Sequence, residues 1–135
     1  MRIESKHVSI AKPAAELYDF LQDMNNFKEL LPKNKISEWK ADLDECSFKV
    51  QGAATIGLKL NGGTPPTHIK MRSTDKAPFP FDLDVHLAEV DGVTDAHQVF
   101  EADINPMLKM MVEKPLKNLF DHIADKMAAI HGSSA

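Results

Sequence analysis

One cysteine, one tryptophan and one tyrosine stand among 135 residues, and the first of these scarcities already narrows the protein's class. With only Cys46 there can be no intramolecular disulfide framework, which favours a reducing compartment. The opening Met1-Arg2-Ile3-Glu4-Ser5-Lys6 is charged and lacks the apolar centre of a signal peptide, so the sequence predicts a cytoplasmic protein. Long apolar runs are missing too. Charges interrupt every stretch before it reaches the ~20 residues that cross a bilayer, so no transmembrane segment is expected. Nor is there an excess of positive charge: 16 Lys and Arg are outnumbered by 20 Asp and Glu, and the net charge is −4. The basic residues are scattered, which argues against a phosphate-tracking surface and against nucleic acid as a partner.

Hydrophobic residues make up 43% of the chain, and seven Met and seven Phe dominate its larger apolar residues beside the branched aliphatics. That length and content support one domain with its own core, over residues 1–132, followed by a flexible small-residue tail at 133–135. The Met content reads first as a pliable core filler, with a deformable ligand pocket as the alternative. Nothing in the sequence fixes an oligomeric state.

Residues 3–10 read as a strand. Pro13 suits the first position of a helix whose buried face is Ala14, Leu17, Leu21 and Met24, and a short second helix follows over Phe27 to Leu31 before Pro32 ends it. From Lys35 to Asn105 the pattern changes to period two. Six strands are expected there, at about 35–41, 45–51, 54–61, 67–74, 79–90 and 93–104, with Asn61-Gly62-Gly63 and its successors as a loop. Pro106 to His131 then forms a long helix with Leu108, Val112, Leu116, Leu119, Ile123, Met127 and Ile130 on one face. That stripe needs a large apolar partner, and only the sheet can supply it. Pro115 lies inside this helix, lacks an amide N–H and crowds the carbonyl of Met111, so a bend is expected there.

The last hairpin can be read to its register. Asp91-Gly92 favours a two-residue type I′ turn, which sets Val90 opposite Val93. Phe81, Leu83, Val85 and Leu87 then share a face with Gln98, Phe100 and other residues of the last strand, while His86 meets His97 and Asp82 meets Glu101 on the opposite side. A one-residue slip would mix the faces.

An opening strand that runs into Ile10-Ala11-Lys12-Pro13-Ala14-Ala15-Glu16-Leu17-Tyr18-Asp19-Phe20-Leu21, Trp39 in the next strand, and a closing helix together resemble the START-like or Bet v 1-like superfamily. That superfamily includes the polyketide cyclase-like and coenzyme Q-binding-like proteins, and the resemblance covers the whole chain. It implies an α+β helix-grip fold: a seven-stranded curved antiparallel sheet in the order β-α-α-β6-α, wrapped around the C-terminal helix. It also implies a cavity between sheet and helix for a small apolar or amphipathic molecule, lipid-like or polyketide-like, without a cofactor.

The residues expected to face that space are Phe48, Ile56, Leu58, Ile69, Met71, Phe81, Leu83, Val85, Gln98 and Phe100 from the strands, with Val50 and Leu60 beside them. Met111, Val112, Leu116 and Leu119 face it from the helix. The same pattern describes side chains that simply pack on one another, because interiors are normally close-packed. Gln98 is the one inward polar group, and a buried amide must find partners in the protein or in a ligand.

No catalytic residue can be assigned. Asp82, Asp84, Glu101 and Asp103 form an acidic strip on the face expected to meet water, where nothing raises a carboxylate pKa. Cys46 alternates with Phe48 and Val50 and reads as an inert buried thiol. His86 and His97 with Asp84 lack a firm third ligand, so no metal is expected, and His7, His68, His122 and His131 show no ligand spacing. A non-catalytic carrier or sensor is the first reading. Two alternatives stay open: a polyketide cyclase or dehydratase-like enzyme, which needs an acid or base in the pocket, and an interaction module of the Hsp90-activator type, hinted at by Met107 and Met110.

Overall fold

The computed structural model describes residues 1–132; the expected tail at 133–135 lies outside them. Eight strands form one antiparallel sheet: β1 (Arg2–Glu4), β2 (Val8–Ile10), β3 (Ile36–Ala41), β4 (Glu45–Val50), β5 (Thr55–Thr64), β6 (His68–Ser73), β7 (Phe81–Val90) and β8 (Val93–Ala102). The order across it is β1-β8-β7-β6-β5-β4-β3, with β2 also paired to β8. The expected count of seven becomes eight because the first strand breaks at residues 5–7 into two short pieces that both pair with β8.

Between β2 and β3 lie α1 (Ala14–Leu21) and two 3₁₀ segments, Met24–Leu30 and Lys33–Lys35. Pro13 caps α1 instead of starting it. Ala14, Leu17, Leu21 and Met24 are buried as their spacing requires. The second helix is 3₁₀ and starts earlier than its sequence implies, because Asp23 accepts the Asn25 N–H and so nucleates a turn there.

The β7–β8 register is the expected one: Val90 pairs with Val93, Val85 with Gln98 and His86 with His97. Asp91 and Gly92 both take positive φ, 52° and 79°, as a type I′ turn demands. The expected loop at Asn61-Gly62-Gly63 is instead part of β5, which continues to Thr64 through an irregularity between Leu60 and Gly63. Gly63 makes this possible, since φ there is 124° and a Cβ would come within 2.3 Å of the His68 carbonyl oxygen.

The sheet closes over α2 (Pro106–His131). Pro106 occupies the first turn, and the Asn105 carboxamide oxygen accepts the Leu108 N–H at 2.8 Å, so the helix start is capped by residues that cannot extend it backwards. Val112, Leu116, Leu119, Phe120, Ile123, Ala124, Met127 and Ala128 form its buried face. Leu108 is only partly covered and Ile130 is exposed, because the stripe outlasts the sheet at both ends. Each fully buried large side chain, Phe100 or Leu116 for example, contributes about 1.5–3 kcal/mol by leaving water.

Candidate functional site

The strand residues expected to face the helix do so and are nearly all fully buried. Phe48, Ile56, Leu58, Ile69, Met71, Phe81, Leu83, Val85, Gln98 and Phe100 all belong to the buried interior, and Val112 and Leu116 meet them from α2. Leu60 is only half-buried. Met111 is a correction: it is 64% exposed, because it stands one helical step, about 100°, away from Val112 and therefore off the stripe. With Met107 and Met110, at 76% and 84%, it leaves three methionines exposed on the first turns of α2.

These inner-face side chains fill their own space. Phe81 and Phe120 both lean on Phe100, with ring centroids 4.8 and 5.3 Å away, and Trp39 and Phe27 flank Phe48 at 6.1 and 6.4 Å. The gap bordered by Val85, Gln98, Ala124 and Met127 has no room for a water molecule. Gln98 satisfies half of its amide there. Its Nε2 donates to the Phe120 carbonyl at 3.0 Å, while its Oε1 is buried with no partner.

Space opens instead at one end of this core. A cleft of about 380 Å³ lies between the 3₁₀ segments after α1, the end of β4 and the middle of α2. Its floor is Val50 and Leu119, 4% and 3% exposed, which are members of the core, together with Pro32 and Pro115. Its rim is Asn34, Lys35, Gln51, Lys114, Asn118 and His122. Among the described residues no carboxylate lines it, so two lysines border an apolar floor in a protein whose net charge is −4. Burial, aided by the nearby Lys126 charge, holds the His122 pKa below its ordinary 6.5, so the ring is neutral at pH 7. Of the residues read as pocket-facing from the sequence, Val50 and Leu119 reach this cleft.

The cleft residues that sequence reasoning missed are the polar ones. Lys114, Asn118 and His122 follow the four-residue spacing of α2 on a flank of the buried stripe, a signal that could have been read once Pro115 was placed. Lys35 and Gln51 could not have been found this way. They meet because the Gln51 N–H donates to the Lys35 carbonyl at 2.9 Å, a contact that joins two loops.

Elsewhere the groups weighed for chemistry are accounted for. Burial, with the Glu45 and Asp42 charges, pushes the Cys46 thiol up to about 12. Asp84 accepts from His68 at 2.6 Å and Asp82 lies 3.3 Å from Arg72, as befits an outer face. A wide depression of about 710 Å³ near Met1 is lined by charges of both signs, among which Arg72 and Asp82 pair at 3.3 Å. On that outer face His7, which shows no ligand spacing in the sequence, stacks on His97 at 3.9 Å, His97 on His86 at 5.0 Å and His86 on His68 at 5.0 Å.

Comparison with solved structures places this architecture. Over 96% of this chain and 96% of the other, it is similar to a START superfamily protein from Mycobacterium smegmatis, with a TM-score of 0.66 and 11% identity. A conserved protein from Geobacillus kaustophilus aligns over 96% and 94% of the two chains with a TM-score of 0.69 and 12% identity. CalU16 from Micromonospora echinospora aligns over 96% and 74%, with a TM-score of 0.58 and 18% identity. No protein-family model matches the chain, and no curated protein matches it. At these identities the likeness defines the fold alone: this is an α+β helix-grip structure. No helix among the described residues is long and apolar enough to cross a membrane.

Proposed function

We propose that this protein is a non-catalytic carrier or sensor for a small amphipathic molecule with an anionic head. The cleft beside the middle of α2 is its seat, and the packed inner face from Phe48 to Leu116 is the backing of that seat. The observation that carries this reading is the pairing of an apolar floor, Val50, Leu119, Pro32 and Pro115, with Lys35 and Lys114 on a rim that holds no carboxylate among the described residues. A volume of about 380 Å³ falls in the range of small-molecule sites, roughly 300–1,000 Å³. The kinship of fold with a START superfamily protein supports a ligand-binding role but does not choose the ligand.

The enzyme reading gains one group from the structure, His122 at the cleft wall. A neutral imidazole can accept a proton, but acid–base catalysis of this kind also uses a second group placed against it, and among the described residues no acid lines the cleft.

A dansyl-labelled undecanoic acid and its methyl ester are the test pair. Saturable fluorescence enhancement is expected with the acid, weakened several-fold by Lys35→Glu combined with Lys114→Glu and by masking the carboxylate as the ester. An acid that fails to bind overturns the reading. So does binding that is equal for acid and ester and indifferent to both lysines.

A further inference from the structure

The edge of the sheet carries one residue too many. Glu4 stands opposite Val99 and Val8 opposite Ala96, so Ser5, Lys6 and His7 on one side face only His97 and Gln98 on the other. An extra residue of this kind re-aims side chains. Ser5 turns inward, where its hydroxyl accepts the Gln98 N–H at 2.9 Å. Glu4 and His7 are thereby brought together on the outer face, next to His97.

The three groups converge. Glu4 Oε1 lies 3.4 Å from His7 Nε2 and 3.7 Å from His97 Nε2, and all three atoms are within 4.8 Å of one another. Ligand atoms around a tetrahedral ion with bonds of about 2.0–2.1 Å sit about 3.3 Å apart, close to these separations. Behind His7, the Asp95 carboxylate accepts at 2.8 Å from Nδ1. That bond holds a proton on Nδ1 and leaves Nε2, turned toward Glu4, as the nitrogen that can exchange its proton for a cation. In the protonated ring Nε2–H donates to Glu4 Oε1, and a cation that displaces this proton would stand between the same carboxylate oxygen and the two imidazoles. Arg2 approaches Glu4 only through the other oxygen, Oε2, at 3.8 Å.

We propose that Glu4, His7 and His97 bind a divalent cation of the zinc class, with Asp95 as the positioning residue behind His7 and a fourth coordination position open to solvent. Two imidazoles and one carboxylate suit a borderline d-block ion better than magnesium or calcium. An outer carboxylate behind a ligating imidazole is the usual support of such sites. The His7 and His97 rings lie within 16° of parallel, so closing on the ion requires one ring to turn. His7, with half of its side chain exposed, is free to do so. The site lies on the face of the sheet opposite α2 and is independent of the proposed cleft.

The test uses tag-free, metal-stripped protein titrated with zinc sulfate, followed by calorimetry and by long-range nitrogen NMR of the imidazoles. One zinc per chain is expected, with the largest shifts at His7 and His97 Nε2. Affinity should fall at least about 10-fold in His7→Ala, His97→Ala and Glu4→Gln, and by about 10–100-fold in Asp95→Asn. His68→Ala, whose imidazole is engaged by Asp84 instead, should bind as the wild type does. Zinc should also raise the Tm of the wild type more than that of Glu4→Gln, a conservative change that leaves the fold in place. A wild type unsaturated at millimolar zinc overturns the proposal, as do His7→Ala and His97→Ala variants that bind unchanged.

Discussion

Gln98 of β8 donates its side-chain amide to the main-chain carbonyl of Phe120 in α2, 3.0 Å away, and this bond joins the sheet to the helix inside the core. The other half of the amide has no partner. A buried acceptor left unsatisfied costs about 1–3 kcal/mol, which offsets the gain of about 1 kcal/mol from the bond that is made. Gln98→Leu removes both and keeps the volume. Its expected effect is neutral to stabilising by about 1 kcal/mol, read from urea unfolding. A loss of several kcal/mol would mean that Oε1 is satisfied in solution, by water or by a ligand.

A filled interior makes a second outcome definite. Leu116 is 1% exposed among side chains that leave no room for water near Gln98. Leu116→Trp therefore overpacks the core and should destabilise by about 1–3 kcal/mol. Thermal denaturation checks this. An unchanged Tm would reveal a hidden cavity and return the ligand to the space between sheet and helix.

The hairpin and the cleft mark how far the sequence can be read. Asp91-Gly92 and strict alternation set every pairing from Phe81–Ala102 to Val90–Val93, because a two-residue turn and a two-faced strand each permit one register. Helix α2 was equally legible, from Pro106 at its start to His131 at its end. What alternation cannot show is how much volume the side chains fill. An apolar stripe reads the same around a cavity as in a filled core, and here the gap beside Gln98 has no room for a water molecule. The grouping of Glu4 with His7 and His97 was hidden for another reason: the extra residue at 5–7 breaks the period-two rule at that point.

Cys46 offers a chemical check of burial. Its thiol is 3% exposed and pushed up to about 12, chiefly by desolvation, so almost no thiolate exists near pH 8. Native protein should react with a thiol-exchange reagent only at the rate of its own unfolding, and stoichiometrically once denatured. Rapid labelling of the native state would show that β4 opens locally.

His131 supplies a pH dependence of definite sign. Its ring stands edge-on to Phe20 at 4.6 Å with Nε2 buried and unpartnered, and burial lowers its pKa from 6.5. The unfolded chain therefore binds the proton more readily than the folded one. Stability is complete above 6.5 and falls as the pH drops from 6.5 toward the lowered folded value. His86, His97 and His122 are shifted in the same direction, whereas His7 is shifted upward, so His131 carries only part of the slope. In His131→Phe the loss of Tm between neutral pH and about pH 5.5 should be smaller than in the wild type. An identical loss would assign the slope to the other histidines.

Pro115 links the helix to the cleft that it helps to line. It lies within a continuous α2, yet it cannot donate to the Met111 carbonyl, and the turns before it expose Met107, Met110 and Met111 to water. The segment from Met107 to Lys114 is thus held to the rest of the protein by one fully buried side chain, Val112, with help from the half-covered Leu108. Such a segment opens at low free energy, and its motion would widen the cleft at Lys114. Pro115→Ala restores the missing bond and should stabilise the helix by up to about 3 kcal/mol. Amide exchange from Met107 to Glu113 should slow accordingly, and binding of the dansyl acid should become slower to start and slower to reverse. Unchanged exchange over those residues would show that the N-terminal turns of α2 are already as firmly held as the rest, and that the cleft does not open by this route.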